Sequence, residues 1–589
     1  MSHAAKFEQV RSLIEAGRLD QAKVLCQRLV QALPGDAGTN SLMSGVFLRL
    51  GLTTQALHYA NRAVEIAPRE PALLVELGRL LAIEKKAPAA IDVLRKAVEI
   101  DPAFLPARRV LASTLAQENR FKEADEQCRT GLAVHRNDVV LQSVLAGALL
   151  NLGRAEDAVE LTRACAEQHP GDTVLVSGLA LMLNYVPGVT SAESLAAHRR
   201  FGALLEAQFP SPLQTYLNNR DPHRRLRVGF ISPDLRAHSV AYFMEPLLKN
   251  LDAAAVEVYI YQTNRIADAV TQRLKPLAAV WRVMDNISDP GLAERIYGDR
   301  VDILIELSGH THAHSLAAMH LRPAPVQATY LGYPNTTGVE AVGNRIVDSI
   351  TDPLGAADDG AVEQLARLDP CFLCYQPPAD APSEASLPPA ATSGRITFGS
   401  FNSLQKLNRA VVDLWSRLLL QHPASRLVLK SFVFADPSAR EEVPSRFAAR
   451  GIDPQRIVCL SPEVAVTDHL ALYSMIDIAL DPFPYNGTTT TCEALWMGVP
   501  VVTLAGESHA QRVGASLLSC IGCPELIARD ESEYLGIADR LAHDLTALGD
   551  LRQRLRGRMR EGPLCNGPAF ARRFEALLRA MWHSYLASP

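Results

Sequence analysis

Hydrophobic and polar positions along this chain follow two regimes. Up to residue 172 the sequence repeats itself every 34 residues. Ala22, Ala56, Ala90, Ala124 and Ala158 share one phase of the period. Pro34, Pro68, Pro102 and Pro170 share a second, with Arg136 in the remaining unit. Gly17, Gly51 and Gly153 mark a third, where Lys85 and Asn119 fill the other two turns. A small residue at a fixed phase lets two helices approach closely, and a late proline stops the second helix. The pattern predicts stacked helix pairs over residues 1–185. These comprise five repeats and a degenerate sixth from Thr173 to about Phe209, broken near Pro187–Gly188. A helical linker is expected over 186–224.

From Arg225 the pattern changes to apolar, β-branched runs that alternate with helical ones. LRVGFIS (226–232), VEVYIYQ (256–262), VDILIEL (301–307) and VQATYLG (326–332) read as buried parallel strands. A second series follows at 396–401, 425–432, 456–460, 478–483 and 499–505. Pro- and Ala-rich sequence from Pro377 to Ser393 reads as a hinge, which predicts α/β lobes over 225–385 and 386–589. Strands alternating with helices give doubly wound sheets, whose ligands sit at strand carboxyl ends. Two such lobes facing a cleft suit a nucleotide-linked substrate. The stretch from Ala569 to Tyr585 is amphipathic and is expected to pack back across the lobes.

The first regime is the tetratricopeptide (TPR) pattern, whose concave groove binds peptides. It predicts capture of a protein partner, with a purely structural or dimerising array as the alternative. Composition narrows the setting. At 589 residues the chain needs several cores. A net charge of -5 without a long basic run argues against nucleic acid as the main partner. The amino terminus carries charges throughout and no apolar core of a signal peptide, and no window approaches a membrane span. Ten scattered cysteines fit a reducing cytoplasm, so a cytoplasmic location is expected.

Candidate chemistry centres on residues 478–506, IALDPFPYNGTTTTCEALWMGVPVVTLAG. An apolar strand leads through a turn at Pro482–Gly487 into Thr488, Thr489, Thr490 and Thr491, where a short helix should begin. A helix start leaves N–H groups unpaired and carries positive partial charge, and threonine hydroxyls add donors there. Such a turn suits a phosphate or diphosphate. Lys406, just after the first strand of the second lobe, can meet a leaving diphosphate. His238 occupies the equivalent loop of the first lobe and could act as general base or hold an acceptor hydroxyl. The segment GHTHAHSLAAMH brings together His310, His312, His314 and His320, without a carboxylate or cysteine set to complete a metal site. Cys371/Cys374 and Cys520/Cys523 have ribbon-like spacing but lie far apart and read as buried thiols. The sequence also holds no DxD-type acidic pair for a metal–nucleotide complex.

Taken together, the chain resembles the intracellular protein O-glycosyltransferases of the O-GlcNAc transferase group, and within them the SPINDLY type. The resemblance rests on LRVGFISPD, LRPAPVQATYLGYPNTTG, CFLCY, FGSFNSLQKLN, LDPFPYNGTTTTCEALWMGVPVVTLAGE and CNGP, all in family order. It implies a TPR superhelix followed by a GT-B glycosyltransferase with two Rossmann-like lobes. It also implies a metal-independent, inverting transfer to Ser or Thr hydroxyls of proteins. In this likeness Lys406 neutralises the leaving β-phosphate, and Thr488 to Thr491 with Asn486 and Gly487 cradle the diphosphate. His238 lies near the acceptor and reacting sugar. His469 lies beside the nucleotide base, with Glu493, Asn402 and Ser403 in the nucleotide-sugar site. His310, Pro334, Asn335 and Thr336 form a possible acceptor or donor loop.

Departures bear on the donor. A Lys and an Arg flank the family's base-side histidine in O-GlcNAc transferases, whereas Val466 and Leu472 stand here. Thr488 replaces a histidine that usually opens the phosphate run, and Ser403 replaces a glutamine. SPINDLY proteins use GDP-fucose, which makes GDP-fucose the expected donor and UDP-GlcNAc the alternative. A dedicated bacterial flagellin-type glycosyltransferase and a non-catalytic TPR scaffold are the other readings. The family's peptide-binding asparagine ladder is replaced by Leu42, Glu76, Val110 and Val144. No metal and no other cofactor is expected, and a homodimer through the TPRs is a further possibility.

Overall fold

The computed structural model describes residues 3–209, 211–213, 215–379, 381–382, 387–461 and 466–587. The chain forms two compact units, residues 1–152 and 153–589. The first is all helix: His3–Glu15, Leu19–Ala32, Ala37–Arg49, Thr53–Ile66, Pro71–Ile83, Ala87–Ile100, Leu105–Gln117, Phe121–Val134 and Val139–Asn151. Ala22, Ala56, Ala90 and Ala124, the small residues of the repeat, have no exposed surface where the helices cross. The turn phase explains itself. Gly17 and Gly51 have φ of 70° and 73°, and Lys85 and Asn119 take the same left-handed conformation at 58° and 60°. The helix-pair turn demands positive φ whichever residue stands there.

The second unit opens with helices Ala155–Gln168, Thr173–Met182 and Ser191–Gln208. The boundary between units thus falls before the residue 185 expected from the repeat period. The reason is packing: these late helices bond to the α/β lobes. Asp157 pairs with Arg409 at 2.7 Å, and the Ser177 hydroxyl reaches His310 at 2.9 Å. Gly202 and Gly338 lie backbone against backbone, with no room for a Cβ on either. The linker expected to be helical over 186–224 is helical only through Gln208.

The N-lobe sheet holds β1 (Leu226–Ser232), β2 (Val256–Gln262), β3 (Val280–Val283), β4 (Ile303–Glu306), β5 (Val326–Tyr330), β6 (Asn344–Val347) and β7 (Gln364–Arg367). Its order is β3-β2-β1-β4-β5-β6-β7, parallel throughout. The C-lobe sheet holds β8 (Thr397–Ser400), β9 (Arg426–Lys430), β10 (Ile457–Leu460), β11 (Ile478–Leu480), β12 (Val501–Leu504) and β13 (Ile527–Ala528). Its order is β10-β9-β8-β11-β12-β13, also parallel. Both sheets reverse strand order in the middle, at β1/β4 and β8/β11, which is where such sheets bind ligands. Of the expected hinge, Asp380 and residues 383–386 lie outside the described residues. The last helix, Gly567–Ala587, packs against the N-lobe helix Ser239–Asn250 and β5. Arg579 fixes it there, donating to the carbonyls of Pro222 and Arg224 at 2.8 and 2.9 Å. Among the described residues no helix is long and apolar enough to cross a membrane.

The repeat turns give a paired test. Gly51 faces open space, so Gly51→Val is opposed by backbone strain alone and should destabilise the array by about 1–2 kcal/mol. Lys85→Gly, at an equivalent turn, should raise stability. Denaturant midpoints of the two variants are expected to move in opposite directions.

Candidate functional site

Two loops flank the β8/β11 switch point. The loop after β8 carries Asn402, Ser403 and the short turn Leu404–Lys406; the loop after β11 runs from Asp481 to Thr488. Asn408 ties them together. Its Oδ1 accepts from Val411 N at 3.0 Å and caps the next helix, while its Nδ2 donates to the Phe483 carbonyl at 2.7 Å. Lys406 Nζ donates to the Asn486 carbonyl at 2.7 Å and to Asn402 Oδ1 at 3.3 Å, and sits 4.4 Å from the centre of the Tyr485 ring. An ammonium has three protons, so one N–H remains for a ligand. Burial pushes the Lys406 ammonium down to about 8, against the pull of Asp481. Burial pushes the Asp481 carboxyl up to about 6, although Thr503, Gly487 N and Lys406 all favour its charge. Asp481 holds the turn closed: its Oδ1 accepts from Gly487 N and its Oδ2 from Thr503 Oγ1, both at 2.6 Å.

The helix Thr489–Trp496 starts at this turn, and the Thr488 side chain makes no capping bond to it. Its first N–H groups therefore keep the positive end of the helix open. Thr490 Oγ1 donates to Asn402 Oδ1 at 3.0 Å. Thr489 Oγ1 and Ser403 Oγ have no hydrogen-bond partner. Thr491, by contrast, is buried. A buried cation and an uncapped helix start meet at one turn through Asn402, which is what an anion needs. A Cβ on Gly487 would lie 2.7 Å from both Thr490 Oγ1 and Thr491 Oγ1 and 3.0 Å from Asn402 Oδ1. Only glycine lets the turn close this tightly.

Beside the turn lies a polar and aromatic nest. Lys430, the last residue of β9, donates to His469 Nδ1 at 2.6 Å. A lysine ammonium can only donate, so Nδ1 accepts and the proton sits on Nε2. That nitrogen donates to Glu493 Oε2 at 2.9 Å, which also accepts from Tyr473 OH at 3.2 Å. Phe401 packs its ring 4.5 Å from Tyr473 and 6.0 Å from His469. The structure thus gathers Lys406, Thr488, Thr489, Thr490, Asn402, Ser403, Asn486 and Gly487 at one turn, with His469 and Glu493 beside it. Sequence reasoning did not single out Lys430, Tyr473, Tyr485 or Asp481. Only a lysine closing an otherwise apolar strand, and an aspartate directly after another, hinted at two of them. The side chain of Val466 lies outside the described residues.

His238 caps the helix Ser239–Asn250 in the N-lobe. Its Nδ1 accepts from Val240 N at 3.3 Å, which leaves Nε2 carrying the proton. Burial holds the ring neutral, with Asp234 opposing. Tyr242, one turn on, is pushed up by burial and by the Glu493 carboxylate.

The expected acceptor loop is corrected in part. His310 is buried with both ring nitrogens engaged, Nδ1 with Ser177 Oγ at 2.9 Å and Nε2 with the Thr337 carbonyl at 2.8 Å. Burial, together with His198 and His314, drives it well below the usual histidine range. Thr336 is fully buried and donates to Glu363 at 2.6 Å, and Pro334 is buried next to it. His310 joins a late helix to the N-lobe, and Thr336 packs within the N-lobe. Asn335 alone lines a cavity. The two Cys-x-x-Cys pairs hold free, buried thiols, and folding brings Cys371 into contact with Cys520. Among the described residues one trio of metal-ligating side chains has its ligand atoms close together: His422, Asp539 and His543, at the ends of two C-lobe helices.

Residues 207–376 and 385–574 match the profile of Glycosyl transferase family 41. Residues 46–103 and 81–146 match tetratricopeptide repeat profiles. The chain is 42% identical over 409 residues to a Petunia hybrida protein named probable UDP-N-acetylglucosamine–peptide N-acetylglucosaminyltransferase SPINDLY, covering 69% of this chain and 44% of that one. The Arabidopsis thaliana protein of the same name gives the same figures. A Caenorhabditis elegans UDP-N-acetylglucosamine–peptide N-acetylglucosaminyltransferase is 25% identical, over 62% of this chain and 41% of that one. The chain thus spans under half the length of these relatives. A mutant O-GlcNAc transferase from Thermobaculum terrenum has a structure similar to this one, with TM-score 0.82 and 33% identity. The match covers 88% of this chain and 98% of that one.

Crowding at the turn is testable without any ligand. Gly487→Ala must push back two threonine hydroxyls or Asn402, and is expected to cost about 1–3 kcal/mol of stability. The thermal midpoint of the purified variant should fall accordingly.

Proposed function

Because the chain belongs to glycosyl transferase family 41, we propose that it moves a sugar from a nucleoside-diphosphate donor to Ser or Thr hydroxyls of polypeptides. The observation that carries this reading is the turn where the buried Lys406 ammonium meets the uncapped start of the Thr489–Trp496 helix. In an inverting displacement the acceptor hydroxyl attacks the anomeric carbon and the nucleoside diphosphate leaves. Negative charge grows on the leaving phosphate, and donors already fixed in place stabilise it without reorganising. Lys406 supplies a positive charge that burial leaves poorly compensated, and Thr489, Thr490 and the helix N–H groups supply the rest. This assignment takes the role of a metal for the protein's own cation and dipole.

The proton of the acceptor hydroxyl needs a base. His238 as held presents Nε2–H, a donor, with Nδ1 engaged by the Val240 amide. It is therefore better suited to orient an acceptor or phosphate oxygen than to remove a proton. A donor phosphate oxygen is the natural alternative base. The nest of Lys430, His469, Glu493, Tyr473 and Phe401 is the place for the nucleoside, with aromatic faces for a base and a carboxylate for a ribose hydroxyl.

For the donor we favour GDP-fucose. The support is the SPINDLY-type segments, together with Leu472 and Ser403 where O-GlcNAc transferases carry Arg and Gln. A second reading, UDP-GlcNAc, is favoured by the names of the SPINDLY relatives. The acceptors are polypeptides in this reading, consistent with the TPR repeats.

Lys406→Ala is expected to lower kcat by about 10²-fold or more, the scale of losing one preorganised donor. His238→Ala should cost less. In the wild type, kcat/KM should fall as pH rises through about 8, because the ammonium is the form that meets the diphosphate. The stability of the free protein carries the opposite sign. The lysine holds its proton less tightly folded than unfolded, so its penalty is full below about 8 and relieved as pH climbs toward 10.5. A rate independent of pH between 7 and 9.5 would remove Lys406 from this role.

Calorimetric titration of GDP and of UDP, each with and without EDTA, separates the donor readings. Tighter GDP binding, unchanged by EDTA, is expected. Tighter UDP binding would transfer the assignment to UDP-GlcNAc, binding lost in EDTA would overturn the metal-free mechanism, and binding of neither would overturn both donors in favour of a scaffold or an unusual donor.

A further inference from the structure

The trio His422, Asp539 and His543 has no part in the site described above. His422 ends the helix Arg409–Gln421, whose start is capped by Asn408 beside the Lys406 turn. That helix is 13 residues long, so about 20 Å separates its two ends. Asp539 and His543 lie one turn apart at the end of the helix Glu531–His543. Side chains four residues apart share a helix face. The fold lays this face against His422, with the two imidazole rings 5.2 Å apart. The same two helices also meet through Trp415 and Tyr534, whose indole nitrogen and hydroxyl are 3.3 Å apart. Tyr534 in turn donates to the Asp481 carbonyl at 3.1 Å.

Each member of the trio offers one ligand atom, and the three atoms lie within 4.8 Å of one another. Asp539 Oδ1 is their centre, 3.1 Å from His422 Nε2 and 3.2 Å from His543 Nδ1. Ligands about 2.1 Å from a tetrahedral ion stand about 3.4 Å apart, so these separations are close to the edges of such a polyhedron. A plain ion pair needs one histidine; here two rings crowd the same carboxylate oxygen, and two imidazolium rings would repel each other. His422 Nε2 is buried and, although so near the carboxylate, is not aligned to bond to it and has no hydrogen-bond partner. Among the described residues no lysine or arginine pairs with Asp539; its charged neighbours are the two rings. Arg456, which reaches the backbone here, is spent on the Leu419, His422 and Ser425 carbonyls at 2.8, 2.9 and 2.7 Å. His543 Nδ1 also lies 2.9 Å from the Asp539 carbonyl, but its side chain is 70% exposed, which leaves the ring room to turn onto an ion.

We propose that His422, Asp539 and His543 bind a divalent ion of the zinc class, which ties the ends of these two helices together. Two imidazoles and one carboxylate suit zinc and its transition-metal neighbours, whereas magnesium and calcium take oxygen ligands. With three protein ligands a fourth position stays with water, so the ion is exchangeable. Its distance from the Lys406 turn makes its role one of stability: it adds a second fixed point to helices already joined at Trp415 and Tyr534. The proposal does not depend on the transferase reading.

The test titrates untagged full-length protein, stripped with EDTA and dialysed, with zinc chloride in a calorimeter, and reads the thermal midpoint with and without the ion. One equivalent of zinc should bind and raise the midpoint by about 4 °C at a hundredfold excess over its Kd. Magnesium and calcium should leave the midpoint unmoved. His543→Ala and Asp539→Asn alter exposed or half-exposed side chains and should fold as the wild type does. Each should weaken zinc binding by about 100-fold and lose the rise. GDP affinity should be the same with zinc and with EDTA, in the wild type and in both variants. Absence of a one-equivalent zinc site, zinc binding that survives in both variants as an adventitious ion elsewhere, or an equal rise with magnesium would overturn the site. GDP affinity that follows zinc loading and is lost in His543→Ala would overturn the stabilising role.

Discussion

The C-lobe is organised around the burial of one ammonium group. Lys406 Nζ sits on the Asn486 carbonyl, against Asn402 and over Tyr485, with Asp481 below the same turn. Taking a cation out of water is expensive unless its surroundings answer it. The carbonyl, the amide oxygen and the ring face answer it only in part, which is why its proton is held loosely. That partial compensation shapes the neighbourhood. The turn must close tightly enough to bring the carbonyl over, so Gly487 has no Cβ, and Asp481 must tie Gly487 N to β12 through Thr503. The helix beyond then begins with its dipole aimed where the cation already is. A site built this way stores electrostatic free energy that only a second charge can release.

A different kind of burial holds the late helices to the N-lobe. There the polar atoms satisfy one another completely. Tyr333 OH accepts from Asn184 Nδ2 at 2.9 Å, shares a proton with His198 Nε2 at 2.7 Å and lies 3.1 Å from the Ala180 carbonyl. Asn335 Nδ2 donates to Asn184 Oδ1 and Ser194 Oγ at 2.8 and 3.0 Å. Saturated networks of this sort rigidify. The contrast is with the Lys406 turn: the paired groups here join elements, whereas there Ser403 Oγ and Thr489 Oγ1 are left without partners.

Much of this was legible in the sequence, for reasons that can be named. The 34-residue repeat is readable because each helix crossing needs an alanine and each turn a positive φ, even where Lys85 supplies it. β1 and β2 begin and end where their apolar runs do. β3, β7 and β13 are partly exposed strands at sheet edges and carry no apolar run, and β6 opens with two polar residues, Asn344 and Arg345. The threonine run and Lys406 stand out because they sit directly after strands at a switch point, a position set by topology. His310 misleads because a histidine-rich segment looks like chemistry. Its partners, Ser177 and Thr337, lie 133 and 27 residues away and are supplied by the fold. Lys430 stays hidden for the same reason. A charged residue on a short strand declares itself only when its partners are known.

The way the chain threads its lobes limits how they can move. It passes from N-lobe to C-lobe between β7 and β8, and returns when Gly567–Ala587 docks on the N-lobe. The late helices touch both, through Asp157 to Arg409 on one side and Ser177 to His310 on the other. A door hung on one hinge swings wide; a body bolted at three separated points can only flex. Wide opening of the cleft would have to break a buried network or peel away a helix, so the accessible motion is a small shear of one lobe along the other. Whatever enters the cleft then meets walls that are already in place.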